Sequence, residues 1–411
     1  MEYRDIANYD YHLPPELIRK RGVEPRDAAR LFVYDTAKGT VTHDTFANLA
    51  AYLPHRSAVV INETRVVPAR LMLHKETGGK IEVFVLVNEM NGPEEDIPVL
   101  VDRKCVPGMK LSFPDGSFFD VVSKQENRFF VRLRSKRTLD DLLQAYGSTP
   151  IPHYLETGTE KRDEAELRKR YQTVFAESGA SVAAPTASLH FTDRVFGSLD
   201  AKGIKIVRVG LDVGLGTFAP LREENFDTKT LHRERITVSD KAADDLNFAK
   251  DERRPIVAVG TTALRTLESV VGSRHDRMLE TIQSSHPSPH HVVRERRAKQ
   301  GYGSSPSQRD PVGAGRGAGD IHERNQDVCD GNTQEFHPYS GETDIFIFPP
   351  HRFGSADILV TNFHLPQSSL MLLVDAFLLD KGSKRNLVSL YEEAIREGYA
   401  FYSFGDSMVI L

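Results

Sequence analysis

Cysteine is nearly absent, with Cys105 and Cys329 alone among 411 residues. Two thiols are too few for a four-cysteine zinc site or a disulfide scaffold, which points to a reducing cytoplasm. Long apolar runs are missing as well. No stretch reaches the roughly 20 residues that span a bilayer, and Met1-Glu2-Tyr3-Arg4-Asp5 has no apolar region of the signal-peptide kind. Nor does one charge sign dominate: 53 Lys and Arg stand against 58 Asp and Glu, a net charge of −5. Such a balance does not advertise nucleic-acid binding, although a basic face can hide in it. Gly78-Gly79-Lys80 lacks the spacing of a phosphate-binding loop, and Gly214-x-Gly216 alone is a weak signal. The expectation is a cytoplasmic chain without a membrane segment, long enough for two domains and a large core.

Two runs stand out from ordinary loop and core composition. Tyr171 to Thr192 and Val360 to Phe377 are rich in small, hydroxyl and amide residues, and each sets a histidine beside an apolar segment, His190 in one and His364 in the other. Ser178, Gly179, Ala180, Ser181, Ala183, Ala184 and Ala187 let backbone amides and hydroxyls approach a ligand closely. Pro185 and Thr186 stiffen the following turn, and Thr192-Asp193 opens a helix. In the second run Ile358-Leu359-Val360 reads as a buried strand, Thr361 to Pro366 as the loop at its end and Ser369 to Leu379 as an apolar helix. Polar groups at the carboxyl end of such a strand are where open α/β sheets bind ligands. Each histidine is either a core residue satisfied by backbone or part of a site; two in similar settings favour a site.

Along the chain, a hairpin is predicted over Leu31 to Phe46, turning near Lys38-Gly39, and a short buried strand over Ser57 to Asn62. From Pro68 the pattern changes. Short alternating segments at Arg70 to His74, Lys80 to Val87, Met109 to Phe113, Phe118 to Ser123 and Arg128 to Leu133 predict a small antiparallel β-barrel. Leu139 to Tyr146 returns to helical spacing, and strand-helix alternation resumes after Tyr171. The fold class is therefore α/β, with a main domain of residues 1–67 and 151–411 interrupted by a barrel domain of residues 68–150. Pro255 to Val259 is a strand leading into Gly260-Thr261-Thr262, after which Leu264, Leu267, Val270 and Val271 share one helical face. Thr261 and Thr262 form either an anion or hydroxyl site or a simple helix cap. Arg265, one turn on and beside Glu268, either reaches a carboxylate or phosphate or forms a surface pair.

Residues 272–340 are rich in His, Arg, Ser, Gly, Pro and Gln and almost devoid of aliphatic periodicity. Such a segment cannot bury enough apolar surface to offset its ordering entropy, so disorder is predicted. A histidine metal cluster or an RNA-binding arm built on Arg294, Arg296 and Arg297 are the functional alternatives.

The motifs LPPELI (13–18), EPRDAARL (24–31), VINETRVVPARL (60–71), ETGGKIEV (76–83), YQTVFA (171–176), SVAAPTASLHFT (181–192), VGLGTFAPL (213–221), AVGTTALRTLES (258–269), TNFHLPQSSLMLLVDAF (361–377) and FYSFGDSMVIL (401–411) follow one another from end to end. Together they resemble the S-adenosylmethionine:tRNA ribosyltransferase-isomerase family, which makes the epoxyqueuosine precursor of queuosine. The resemblance implies an α/β body interrupted by a β-barrel, and an enzyme taking the ribosyl group, not the methyl, of S-adenosylmethionine. The acceptor is the amine of a 7-aminomethyl-7-deazaguanine at the wobble position of tRNA; adenine and methionine leave as the sugar rearranges to an epoxycyclopentane. No metal is implied. The partners would be S-adenosylmethionine as co-substrate and the tRNA anticodon region, with the protein a monomer.

That chemistry asks for a base, an acid and a pocket that excludes water. On the resemblance, His190, His364, Glu234 and His232 are the candidate catalytic residues, and Asn62, Arg65, Thr186, Thr261, Thr262, Arg265 and Asn362 the candidate substrate-binding residues. Asp212 stands where the family commonly has histidine, Ala219 where it has arginine and Lys229 where it has the first histidine of an H-x-M-H-x-E motif. These departures leave open a relative acting on another small-molecule or nucleoside acceptor, or a noncatalytic nucleotide- or RNA-binding homologue.

Overall fold

In a computed structural model, residues 3–90, 96–151, 163–214, 216, 221–272 and 334–411 are described. A nine-stranded sheet runs in the spatial order Tyr339–Ile345, Thr230–Val238, Lys205–Asp212, Ala58–Asn62, Ile256–Val259, Ile358–Asn362, Ser407–Ile410, Arg30–Asp35 and Thr40–Thr45. The four strands from Lys205–Asp212 to Ile358–Asn362 are parallel. Three of them, Ala58–Asn62, Ile256–Val259 and Ile358–Asn362, are buried at every position, as a sheet covered on both faces requires.

Alternation divides their side chains between two cores. Val60, Ala258 and Leu359 pack with Leu264 and Leu267 of the Gly260–Val270 helix and with Met371 and Val374 of the Ser369–Asp380 helix. Val59, Ile61, Val257 and Val360 pack on the other side with Val195 and Leu199 of the Asp193–Ala201 helix. Thr192 caps that helix, its hydroxyl accepting from the Val195 amide, as its position before the apolar periodicity predicts.

A second sheet follows the pattern break at Pro68. Arg70–Lys75, Lys80–Val85, Ile97–Val101, Arg128–Arg134, Phe118–Gln125 and Lys110–Ser112 pair in that order, and the last returns to the first through His74 opposite Ser112. Six strands thus close on themselves around Leu73, Val83, Val99, Phe119 and Val131. The Leu139–Tyr146 helix adds Leu142 and Leu143 to this core, its first turn held by a reciprocal capping box between Thr138 and Asp141. Periodicity passed over the Ile97–Val101 strand because Pro98 lacks a backbone donor. In the sheet Pro98 contributes its carbonyl, accepting from the Leu86 amide at 2.9 Å.

Most of the segment expected to be disordered lies outside the described residues. Its last residues do not fit that expectation: Phe336 is buried against the main core, and Tyr339 and Ser340 pair with Val238 and Thr237. The strand continues beyond the low-complexity boundary because it completes the sheet edge, a gain that local composition does not register. Among the described residues no helix is long and apolar enough to cross a membrane.

Candidate active site

The four parallel strands end side by side at Asp212, Asn62, Val259 and Asn362. This is the sheet edge where loops and helix N-termini present free amides to ligands. A cleft of ≈ 940 Å³, counted out to its mouth, opens there between Thr186, Thr261, Thr262, Asn362, His364 and Tyr402. Gly260 sits at φ +88° and turns the chain from strand directly into helix, a conformation that a side chain would resist. Thr261 and Thr262 consequently occupy the first helical turn and line the cleft. Neither is the N-cap, a position held by Val259 with no side-chain cap bond, and the buried Thr262 hydroxyl has no hydrogen-bond partner among the described residues. The simple-cap reading of this threonine pair therefore does not hold, and both residues face the cleft.

Thr186 donates from Oγ1 to Asn362 Oδ1 at 2.8 Å, and Asn362 donates from Nδ2 to the Asp406 carbonyl at 3.3 Å, which fixes the amide's orientation. His364 is tied at three points. Its amide donates to the Tyr391 hydroxyl at 3.2 Å, its carbonyl accepts from the Tyr11 hydroxyl, and Nε2 shares a 2.9 Å hydrogen bond with Thr361 Oγ1. The half-buried ring lines the cleft, and Nδ1 makes no hydrogen bond among the described residues. Burial holds the imidazole well below its ordinary range, so at neutral pH it is uncharged and able to accept a proton.

Ser369 and Leu370 border both this cleft and a second, much tighter space, where Glu234, Arg265, His232 and Phe346 meet. Glu234 and Arg265 are only 3% and 5% exposed. Arg265 donates from Nη1 to Glu234 Oε2, and the Gly214 amide donates to Glu234 Oε1 at 3.0 Å. Arg265 is thus no surface pair with Glu268, whose Oε1 accepts from the Gly354 and Ser355 amides while Oε2 lies 3.0 Å from His351 Nε2.

Three candidates stand elsewhere. His190 does not line the cleft: its Nδ1 lies 3.3 Å from the Arg26 carbonyl, and its ring packs on Phe46 with centroids 5.3 Å apart. Burial pushes its imidazole down to about 4. Asn62 is buried and turns inward to the sheet, donating to the Leu211 carbonyl at 2.9 Å and accepting from its amide at 3.0 Å. Arg65 is partly exposed and lies 3.8 Å from Asp140 on the helix of the small sheet. His232 reaches only the second space.

A family model described as queuosine biosynthesis protein matches residues 6–295 and 321–410. The chain belongs to this family. It is 34% identical over 407 residues to the S-adenosylmethionine:tRNA ribosyltransferase-isomerase of Carboxydothermus hydrogenoformans, covering 99% of each chain. It is 37% identical over 404 residues to the protein of that name from Rubrobacter xylanophilus, covering 98% of this chain and 96% of the relative. A crystal structure of S-adenosylmethionine tRNA ribosyltransferase from Thermotoga maritima is 27% identical over 98% of this chain and 99% of that one, with a TM-score of 0.46.

Of Asp212, Lys229 and Ala219, Asp212 is buried beside the cleft, not on it. Its Oδ1 accepts from Thr64 Oγ1 at 2.7 Å and from the Ala180 amide at 2.9 Å. Lys229 ends the Glu223–Thr228 helix at φ +56°, with its carbonyl accepting from the Phe346 amide at 3.3 Å. Ala219 lies outside the described residues. Tyr171, Tyr402 and Ser403 line the cleft, although no chemistry in the sequence singled them out. Tyr402 adopts φ +71° as its amide reaches back to the Phe363 carbonyl at 3.1 Å. That left-handed conformation sets Tyr402 at the cleft, and the run FYSFGD carries no local sign of it.

Proposed function

We propose that this chain transfers the ribosyl group of S-adenosylmethionine to 7-aminomethyl-7-deazaguanine at the wobble position of tRNA and isomerises it, giving epoxyqueuosine-tRNA with release of adenine and methionine. The observation that carries the reading is end-to-end similarity to proteins bearing that enzyme's name. The convergence of Thr186, Thr261, Thr262, Asn362 and His364, all from matched motifs, on one cleft supports it.

Each residue then has a task. His364 Nδ1 accepts the proton from the ribose carbon next to the sulfonium, with Thr361 holding the opposite ring nitrogen and therefore the tautomer. Thr262 and the first-turn amides of its helix receive oxygen atoms of the sugar as charge shifts between them. Asn362, oriented by Thr186 and Asp406, binds the substrate. Glu234, locked to Arg265 and the Gly214 amide, orients and does not shuttle protons. His190, Asn62 and Arg65 support the fold around the cleft. The closed six-stranded sheet constitutes an inserted β-barrel domain within residues 68–150, between main-domain segments 1–67 and 151–411. The protein works as a cytoplasmic monomer with tRNA as its macromolecular partner and no metal.

Incubation with S-adenosylmethionine labelled in its adenine and ribose, with and without tRNA carrying the aminomethyl base, tests the reading. Adenine release coupled to ribose capture by that tRNA is expected. Release without tRNA would reveal a small-molecule acceptor, and no release with any acceptor would make the chain a binding homologue.

A further inference from the structure

The backbone of His364 is held by groups from distant parts of the chain, not by its own loop. That loop follows the Ile358–Asn362 strand and contains Pro366, which has no amide to donate, and Gln367 at φ +57°. Around the histidine, the Phe363 carbonyl accepts from the Tyr402 amide at 3.1 Å and the Gln367 amide donates to the Tyr9 carbonyl at 3.1 Å. The polar backbone groups of His364 itself meet two phenols. The Tyr391 hydroxyl accepts from its amide at 3.2 Å, and the Tyr11 hydroxyl donates to its carbonyl.

Tyr11 and Tyr391 are buried, neither lines the cleft, and phenylalanine at either position would fill the same space. A buried hydroxyl costs free energy unless it is hydrogen-bonded. Among the described residues, the His364 backbone is the hydrogen-bond partner of each of these hydroxyls. The two rings stand edge to face with centroids 5.5 Å apart, and Phe363 and Phe401 pack on Tyr391 at 5.3 and 5.8 Å. Such close packing leaves the hydroxyls little room to move. Tyr9 adds a fastening: its hydroxyl donates to the buried Asp375 at 2.9 Å, and Asp375 Oδ1 accepts at 3.4 Å from the Leu387 amide, which opens the Leu387–Arg396 helix that carries Tyr391. Residues 9–11 and that helix are thereby joined behind the His364 loop.

Resting on the role proposed above for His364, we infer that Tyr11 and Tyr391 are positioning residues whose hydroxyls grip the carbonyl and amide of His364 and so set where its imidazole stands in the cleft. Thr361 holds one ring nitrogen and with it the tautomer, but not the backbone from which the ring projects. The two phenols supply that second constraint. Proton transfer needs the base within hydrogen-bond reach of its target, and a misplacement of about 1 Å is enough to cost roughly 100-fold in rate.

Tyr11→Phe and Tyr391→Phe each delete one of these hydroxyls and keep the ring. Tyr52→Phe is the control, since it deletes a hydroxyl bonded to Asp44 at 2.6 Å outside the cleft lining. Y11F and Y391F should each lower kcat about 10-fold or more with KM for S-adenosylmethionine and tRNA within about 2-fold, and Y52F should change neither. In the H364Q background Y11F and Y391F should have no further effect, because groups that act through one side chain are not additive. Nitrogen NMR of histidine-labelled protein reads the His364 ring directly, its signal assigned by its absence in H364Q. One tautomer is expected in the wild type and in Y52F, and a mixture in Y11F and Y391F. A melting temperature above the assay range qualifies each variant, and either of the two alone decides. Wild-type kcat in a qualified variant overturns the inference, as does a loss that multiplies in full with that of H364Q, or a ring signal that does not move. A wild type that releases no adenine sinks the proposed function while the ring signal still decides the positioning; ribosyl transfer with an unmoved ring in the variants sinks the positioning alone.

Discussion

The ring of His364 reaches the cleft with Nε2 tied to Thr361 and Nδ1 unbonded among the described residues. His364→Gln should lower kcat by roughly 10²- to 10⁴-fold, the usual contribution of a positioned base, with the melting temperature little changed. The working form is neutral and burial lowers the imidazole's pKa, so kcat should stay level on acidification through 6.5 and decline only below it. An acid limb at or above 6.5 that disappears in H364Q would contradict the assignment. His190 predicts a different measurement. Its folded pKa of about 4 lies below the ordinary 6.5, so the unfolded chain takes up the proton first as pH falls. Its contribution to stability is complete above 6.5 and is lost between 6.5 and about 4, amounting to about 3 kcal/mol by linkage. Urea midpoints across that range should show a pH slope that is smaller in His190→Gln, while turnover of the variant at pH 7.5 stays within about 10-fold of wild type.

At the scale of elements, the run of small residues before His190 has a more specific use than close approach to a ligand. Ser178–Ser181 forms a short strand parallel to Thr64–Val66, and Asp212 fastens both through Thr64 Oγ1 and the Ala180 amide. Gly179, at φ +79°, leaves room for that carboxylate; a Cβ there would overlap Asp212 Oδ1 and Thr64 Oγ1. Gly179→Ala should therefore cost about 2 kcal/mol or more, from the left-handed backbone and the overlap together, read as a lower urea midpoint. A midpoint equal to wild type would mean that the pair of strands is not fastened in this way. The same contacts give Asp212 a structural role beside the cleft. An aspartate here is an acceptor for two donors of neighbouring strands, a role that depends on the sheet and not on the residues beside it in sequence.

Across the whole molecule, Asp406 joins parts of the chain nearly 400 residues apart. It is fully buried; Oδ1 accepts from Arg19 Nη1 at 3.1 Å and the Arg30 amide at 2.9 Å, and Oδ2 from the Ala400 amide at 2.8 Å. Its carbonyl holds Asn362 at the cleft. The Ser407–Ile410 strand that follows lies between Ile358–Asn362 and Arg30–Asp35, antiparallel to the first and parallel to the second. Asp406→Ala should destabilise the fold by about 3 kcal/mol or more, because two buried amides and an arginine lose their acceptor. It should also raise KM for S-adenosylmethionine as Asn362 loosens, and calorimetry with steady-state kinetics would register both effects. An unchanged melting temperature would show that the carboxylate is dispensable to this closure.

Local sequence was enough for the kind of each main element and for the sheet edge at which the cleft lies. Unbroken apolar runs of three or four residues such as Ile256–Val259, bounded by turn signals, read as central parallel strands, and a threonine, asparagine or histidine just beyond one lies at its carboxyl end. Family membership was legible because the motifs follow one another along almost the whole chain. Tertiary structure alone decided which polar groups face the cleft. His190 and His364 have like neighbours, yet one packs under Phe46 and the other lines the cavity. Asn62 and Asn362 both end strands, yet one completes the sheet's own hydrogen bonding and the other lines the cleft. Those outcomes depend on which distant backbone or ring arrives at each side chain, and that information is spread over the whole chain.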